Sequence, residues 1–171
     1  MADTFPRAPE AERALVENAR FAARFEGPGP GVGRAPSRRL AVVACMDSRL
    51  TVEEVLGVRS GEAHIIRNAG GLATDDAIRS LVISQHLLGT EEVIVIEHTG
   101  CGLLTFDDET ERAKLAEATG AAVDLPLQPF VDLEENLVAQ VERIRRHPWI
   151  KDGPVSGLIF DVETGHLRRV I

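Results

Sequence analysis

Two short stretches carry side chains that can do chemistry together: Cys45-Met46-Asp47-Ser48-Arg49 and His98-Thr99-Gly100-Cys101-Gly102. Between them they hold both cysteines of the chain. Thiolates with a neutral imidazole are preferred zinc ligands. Cys45, His98 and Cys101 supply three positions of a tetrahedral site and leave the fourth open. Asp47, two residues past Cys45, can accept a hydrogen bond at the mouth of such a site. Arg49 can grip Asp47 through a bidentate pair. Plainer readings exist for each residue. A cysteine at a strand end is often inert, and an Asp–Arg pair is often a surface ion pair worth little. A disulfide would suit an oxidising compartment. A cysteine phosphatase loop would need an arginine where Thr51 stands. Neither G-x-G-x-x-G nor G-x-x-x-x-G-K-[ST] occurs, so a phosphate cradle has little support. Metal binding is the reading that uses all these residues at once.

For the two stretches to meet, both must end strands of one sheet. Leu40–Cys45 is an apolar run suited to a buried strand, Ala63–Arg67 reads as a second, and Val93–Ile96 as a third. Thr51–Leu56 is a short helical turn. Thr74 can cap a helix that starts with Asp75 and Asp76, carries Ala77, Ile78, Leu81 and Val82 on one face, and stops at Gly89. Asp132 can cap another, with Leu133, Leu137, Val141 and Ile144 on one side and arginines in its last turn. Val155–Val162 and Leu167–Ile171 read as a hairpin. Alternating strands and helices predict an α/β fold with a mainly parallel central sheet flanked by helices. In such sheets the ligand site lies at the carboxyl ends of the strands. Ahead of this domain (34–171), Pro9–Glu26 reads as a helix, followed by the linker Gly27–Gly33, so that 1–33 forms a protruding arm. That helix suits packing on a partner subunit or on its own domain equally well.

The pattern Cys45-x-Asp47-x-Arg49 followed by His98-x-x-Cys101 resembles the zinc signature of the β-class carbonic anhydrases. The likeness runs strongly from Leu40 to Thr105, through Arg67-Asn68-Ala69-Gly70, and more loosely beyond. The resemblance implies that family's fold, its usual homodimer or homotetramer, and an N-terminal helix crossing onto a partner. It implies zinc as cofactor, Cys45, His98 and Cys101 as ligands, and Asp47 as both catalytic group and conditional fourth ligand, governed by Arg49. The activity implied is reversible hydration of carbon dioxide to bicarbonate by zinc-bound hydroxide. Hydrolysis of carbonyl sulfide or carbon disulfide on the same scaffold is the alternative. A non-catalytic zinc-binding interaction protein would have no need of the Asp47–Arg49 pair, and a redox sensor would be metal-free. Family members with a bicarbonate regulatory pocket carry Trp where Val42 stands, so that pocket is not expected. With no Tyr in the chain, the substrate pocket should be small and aliphatic, completed by Phe106 or a partner.

Composition narrows the remaining classes. The 171 residues carry 27 acidic and 19 basic side chains, a net charge of −8, and only six Phe and one Trp as aromatics. A basic face for nucleic acid or anionic membrane is lacking, and base stacking has little to work with. No apolar run approaches the ~18–20 residues of a membrane span. The first residues show neither the basic start nor the apolar stretch of a signal peptide, which makes a cytoplasmic enzyme the expectation. Gly70, Gly71 and Gly102 are expected either to let backbone approach the metal or to serve as plain turn residues. Arg67 is expected to order its loop, and His64 and His86 to be structural.

Overall fold

The computed structural model describes residues 10–27, 29 and 32–171. The chain divides into two units, residues 1–31 and residues 32–171. In the first, Glu10–Ala22 forms helix α1, with Glu10 and Glu12 in its first turn and Arg20 in its last, as the helix dipole favours. None of its residues is buried. The helix ends at Ala22 rather than Glu26. The Arg24 N–H donates to the Phe21 carbonyl and the Phe25 N–H to that of Ala22, the tightened closure that finishes many helices. Pro9, expected as its first residue, lies outside the described residues, and the glycine–proline linker is described only in part.

Among the described residues of the second unit, one sheet contains β1 (Leu40–Cys45), β2 (Ala63–Asn68), β3 (Glu92–His98), β4 (Val155–Phe160) and β5 (Leu167–Arg169). Their order is β2-β1-β3-β4-β5. The first four are parallel, and β5 runs antiparallel to β4. The connections carry α2 (Val52–Leu56), α3 (Asp75–Leu88), α4 (Asp108–Thr119) and α5 (Leu133–Arg145).

Every residue of β1 is buried because both faces of the sheet are covered. Ala41 and Val43 pack with Ile78 and Leu81 of α3 and with Leu137, Val141 and Ile144 of α5. Leu40, Val42 and Ala44 pack on the other side with Leu50, Val52 and Val58. Each fully buried leucine contributes roughly 2–3 kcal/mol by leaving water. The helix ends follow the sequence signals. The Thr74 hydroxyl accepts the Ala77 N–H, Gly89 adopts the left-handed conformation after α3, and the Asp132 carboxylate accepts the Glu135 N–H.

Several boundaries differ from expectation. β3 continues through His98, because its ladder with β4 extends to the His98–Phe160 pair. β4 stops at Phe160 instead of Val162, because the Asp161 carboxylate accepts the Glu163 and Thr164 N–H groups and starts a turn. Helix α4 was not expected. The chain passes from β1 to β2 on one side of β1 and later to β3 on its other side. The ends of β1 and β3 therefore flank the switch point where α/β sheets open a crevice.

Candidate metal centre

Cys45 closes β1 and His98 closes β3, while Cys101 follows a turn at Gly100, whose φ is 63°. One ligand atom from each of Cys45, His98 and Cys101 lies within 4.8 Å of the other two. All three residues are buried, and both cysteines are free. His98 Nδ1 sits 2.9 Å from the Thr99 carbonyl oxygen, so Nδ1 bears the proton and Nε2 presents its lone pair. Nε2 is itself buried without a hydrogen-bond partner. A buried acceptor left alone costs free energy, and a metal ion between the two sulfurs would take that lone pair. Two thiols and one imidazole fit zinc by donor type.

The sulfurs are electrically unequal. The adjacent Cys101 thiol, the neighbouring His98 and the Asp47 and Gly70 N–H groups together lower the pKa of Cys45 despite burial. Cys101, donating to Cys45 and buried, is pushed up instead. Burial works to lower the pKa of His98, but its closeness to Cys45 and its bond to the Thr99 carbonyl prevail and the net direction is upward. The lowering at Cys45 favours its thiolate, the form a metal requires.

Asp47 and Arg49 form the outer rim. Arg49 Nε donates to Asp47 Oδ1 at 2.9 Å and Nη2 to Oδ2 at 2.8 Å, while the Arg49 backbone N–H also reaches Oδ1 at 2.9 Å. These bonds hold the Asp47 carboxyl well below the usual carboxylate range. Arg49 Nη2 also donates to the Gly100 carbonyl at 3.1 Å and so ties the two strand tips together. Asp47 Oδ2 lies 3.7 Å from His98 Nε2. Arg67, from β2, donates to the Cys45 carbonyl at 3.0 Å and to the Asp47 carbonyl at 2.7 Å, so it fixes the backbone of this loop.

Glycine is required at one point above all. A Cβ on Gly71 (φ 70°) would stand 2.8 Å from both the Cys45 nitrogen and the Ile96 oxygen, so this loop crosses directly over the two strand ends. A Cβ on Gly102 would meet nothing within 4 Å, and close approach does not explain that glycine. His64 bonds to Ser84 Oγ at 2.7 Å and His86 to the Trp149 carbonyl at 2.9 Å, each with a local partner. Phe106 lines an open groove of about 690 Å³ with Leu104, Pro129 and Phe130, and none of Cys45, His98 and Cys101 borders it.

Sequence reasoning missed Glu97. It is 1% exposed, receives a hydrogen bond from Asn136 Nδ2 at 2.7 Å, and has no partner for Oε2. Burial pushes its carboxyl up to about 8, against the lowering effect of Asn136. A glutamate at the end of the run Val93-Ile-Val-Ile96 was the available signal.

A buried Cys–His–Cys cluster that could hold a metal ion, at the switch point of a parallel sheet, defines the class of α/β protein that this chain resembles. Residues 40–167 match the family described as carbonic anhydrase. Beta-carbonic anhydrase 1 of Mycobacterium tuberculosis (strain ATCC 25618 / H37Rv) is 44% identical over 157 residues, covering 91% of this chain and 94% of that protein. A carbon disulfide hydrolase of Acidithiobacillus thiooxidans is 41% identical over 158 residues, covering 80% of this chain and 79% of that one. The crystal structure of carbonic anhydrase from Streptococcus mutans superposes with a TM-score of 0.88 at 38% identity, covering 98% of this chain and all of that chain. The chain belongs to the β-carbonic anhydrase family.

Proposed function

We propose that this chain catalyses the reversible hydration of carbon dioxide to bicarbonate, with one zinc ion held by Cys45, His98 and Cys101. The observation that carries the reading is the unpartnered, buried His98 Nε2 in a cluster with both thiols, with a tethered carboxylate 3.7 Å away. Zinc in such a site acidifies a coordinated water and so supplies a nucleophile for an electrophilic carbon. The protein does the rest. Cys45 and Cys101 hold the ion and offset its charge, and the Thr99 carbonyl orients the imidazole. Asp47, kept ionised by Arg49, would accept a hydrogen bond from a water bound beside the three ligands. Arg49, by occupying both Asp47 oxygens, keeps that carboxylate from closing the site as a fourth ligand. Buried Leu72 and Leu103, in the same apolar cluster as Cys45 and Cys101, suit a small linear apolar substrate.

The same features suit hydrolysis of carbon disulfide or carbonyl sulfide, and the similarity to a carbon disulfide hydrolase keeps that as the second reading. One comparison separates them. Zinc-loaded protein is assayed for carbon dioxide hydration by stopped-flow indicator change, and for sulfide release from the two sulfur substrates. Fast hydration with little sulfide release is expected. Sulfide release without hydration would reverse the assignment.

The assembly follows from α1. Leu15 is 65% exposed and Val16, Phe21 and Phe25 each 55%, with the two phenyl rings 5.2 Å apart. So much apolar surface on α1 and the residues just after it supports docking of this segment on a second copy, in a homodimer or homotetramer. Removal of residues 1–26 should lower the mass seen by light scattering and reduce turnover. A truncated chain of unchanged mass and activity would refute the arm. Two free buried cysteines support a reducing, cytoplasmic setting. No helix among the described residues is long and apolar enough to cross a membrane.

A further inference from the structure

Behind the metal cluster runs a polar chain that the catalytic reading does not use. Side chains alternate along β3, so Glu97 points away from the His98 side, toward the face where Val93 and Val95 pack on Leu137 and Val141 of α5. There α5 presents Asn136 and Gln140, one helical turn apart and on one face. The Ala73 N–H donates to Gln140 Oε1 at 2.9 Å, Gln140 Nε2 to Asn136 Oδ1 at 3.1 Å, and Asn136 Nδ2 to Glu97 Oε1 at 2.7 Å.

The direction of this chain is set at one end. A backbone N–H can only donate, so the Gln140 atom facing Ala73 must be oxygen and its other atom nitrogen. The Asn136 atom facing that nitrogen must then be oxygen, which leaves the Asn136 amino group to face Glu97. Turning Gln140 over would place like against like at two contacts, and turning Asn136 over would set its amino group against that of Gln140.

What the chain joins is more telling than how it is built. Ala73 ends the loop whose Gly71 is wedged over the Cys45 nitrogen and the Ile96 oxygen. The loop's other end is already closed by Asn68, whose amide exchanges hydrogen bonds with Leu72 at 2.8 and 2.7 Å. Glu97 immediately precedes His98. The chain thus spans from the loop over one ligand to the strand residue beside another, through a helix that supplies no ligand.

We propose that Asn136 and Gln140 are positioning residues for the metal centre, setting the spacing between Cys45 and His98 from the opposite face of the sheet. This rests on the zinc reading above. Groups one step behind a ligand typically cost 10–100-fold in metal affinity when lost, and these act a step further back, so about tenfold is expected.

The test uses the full chain and three variants, Asn136→Leu, Gln140→Met and the pair, which replace each amide by an apolar side chain of similar length. Zinc dissociation constants are measured by chelator competition, and visible spectra are recorded with cobalt in place of zinc. Each single variant should weaken zinc binding about tenfold and shift the cobalt bands. The double should be no worse than about tenfold, because either change already severs the chain. Thermal melts of the metal-free proteins check folding. If a variant fails to fold, the parent's Ala73 amide decides: its hydrogen exchange should be as slow as that of the core strands. Variants with the parent's affinity and spectrum, an additive double, or a fast-exchanging Ala73 amide would overturn the proposal. A parent chain that takes up no zinc would instead overturn the functional reading, and this one with it.

Discussion

At the tip of β3, His98 has no exposed surface and Cys101 is 3% exposed. At the tip of β1, Cys45 is equally hidden, but four residues later the Arg49 side chain is 50% exposed and that of Asp47 19%. The β3 tip is further held by Thr99, whose N–H donates to the Phe160 carbonyl at 2.9 Å and whose hydroxyl accepts the Val162 N–H at 3.1 Å. Nothing comparable holds the Asp47 carboxylate except Arg49. One tip is thus buttressed by packing and backbone bonds, while the other ends in an ion pair that water can reach. The difference assigns tasks. The buried tip can define a coordination geometry, and the wet one can change state near it at little cost.

The comparison breaks most plainly at the buried tip. Cys101→Ser removes a soft ligand that the β1 tip has no means to replace. Partners outside a coordination shell cost 10–100-fold, so loss of a ligand should cost more than about a hundredfold in hydration rate. Most of the zinc should go with it in metal analysis. A serine variant that keeps a full equivalent of zinc would mean the site does not depend on the β3 tip.

At the wet tip the expected effect is smaller and different in kind. Arg49→Ala frees both Asp47 oxygens, and the carboxylate can then move onto the metal. Zinc should remain near one equivalent while turnover drops about 10–100-fold. X-ray absorption should show a carboxylate oxygen in place of water. Asp47→Ala should also keep zinc and lose activity, but without that oxygen. If either change expels the metal, the two tips share one structural task and the contrast fails.

Much of this arrangement was legible in the sequence. The apolar run ending at Cys45, the Thr74 cap and the Gly89 stop each act within a few residues, and the structure has them where local rules put them. Helix α4 was missed because it buries nothing and shows no apolar period. Its signals were there: the Asp107 side chain accepts the Thr110 N–H, and Gly120 takes the left-handed conformation at the other end. The overlong helix after Glu10 and the overlong strand after Val155 erred for one reason, since apolar residues continued past the point where backbone bonds turn. The contacts from Arg67 to the Cys45 and Asp47 carbonyls join residues 22 and 20 positions apart. Those from Ala73 to Gln140 and from Asn136 to Glu97 span 67 and 39. No periodicity encodes such pairs, because they arise only when the sheet order is known.

A milder change sharpens the contrast by loosening the buried tip without touching a ligand. Thr99→Val keeps the size and the carbonyl that faces His98 Nδ1, but strands the Val162 N–H. An unpaired, partly buried N–H costs about 1–2 kcal/mol. The urea midpoint should fall accordingly while zinc stays bound. No change in midpoint would show that the hairpin after β4 does not brace this tip.

The smallest effect expected lies in the turn of that same hairpin and depends on pH. The Glu163 and Thr164 N–H groups donate to the Asp161 carboxylate and lower its pKa below the ordinary value of 3.8. A carboxyl whose pKa is lower folded than unfolded stabilises the folded state above its unfolded pKa, and that contribution fades as pH falls through the folded value. Parent protein should therefore resist urea better than Asp161→Ala at pH 6, and the gap should narrow below pH 4 to the part that a neutral oxygen acceptor keeps. Asp161→Asn keeps an oxygen acceptor for both N–H groups and carries no charge to titrate. Its offset from the parent should be smaller than that of the alanine variant at pH 6, and its gap to the alanine variant should hold in acid. Parallel curves for parent and alanine variant at both pH values would show that the turn is held by its backbone alone. The firmness of the β3 tip would then owe nothing to this charge and would rest on Thr99 and the Phe160 carbonyl.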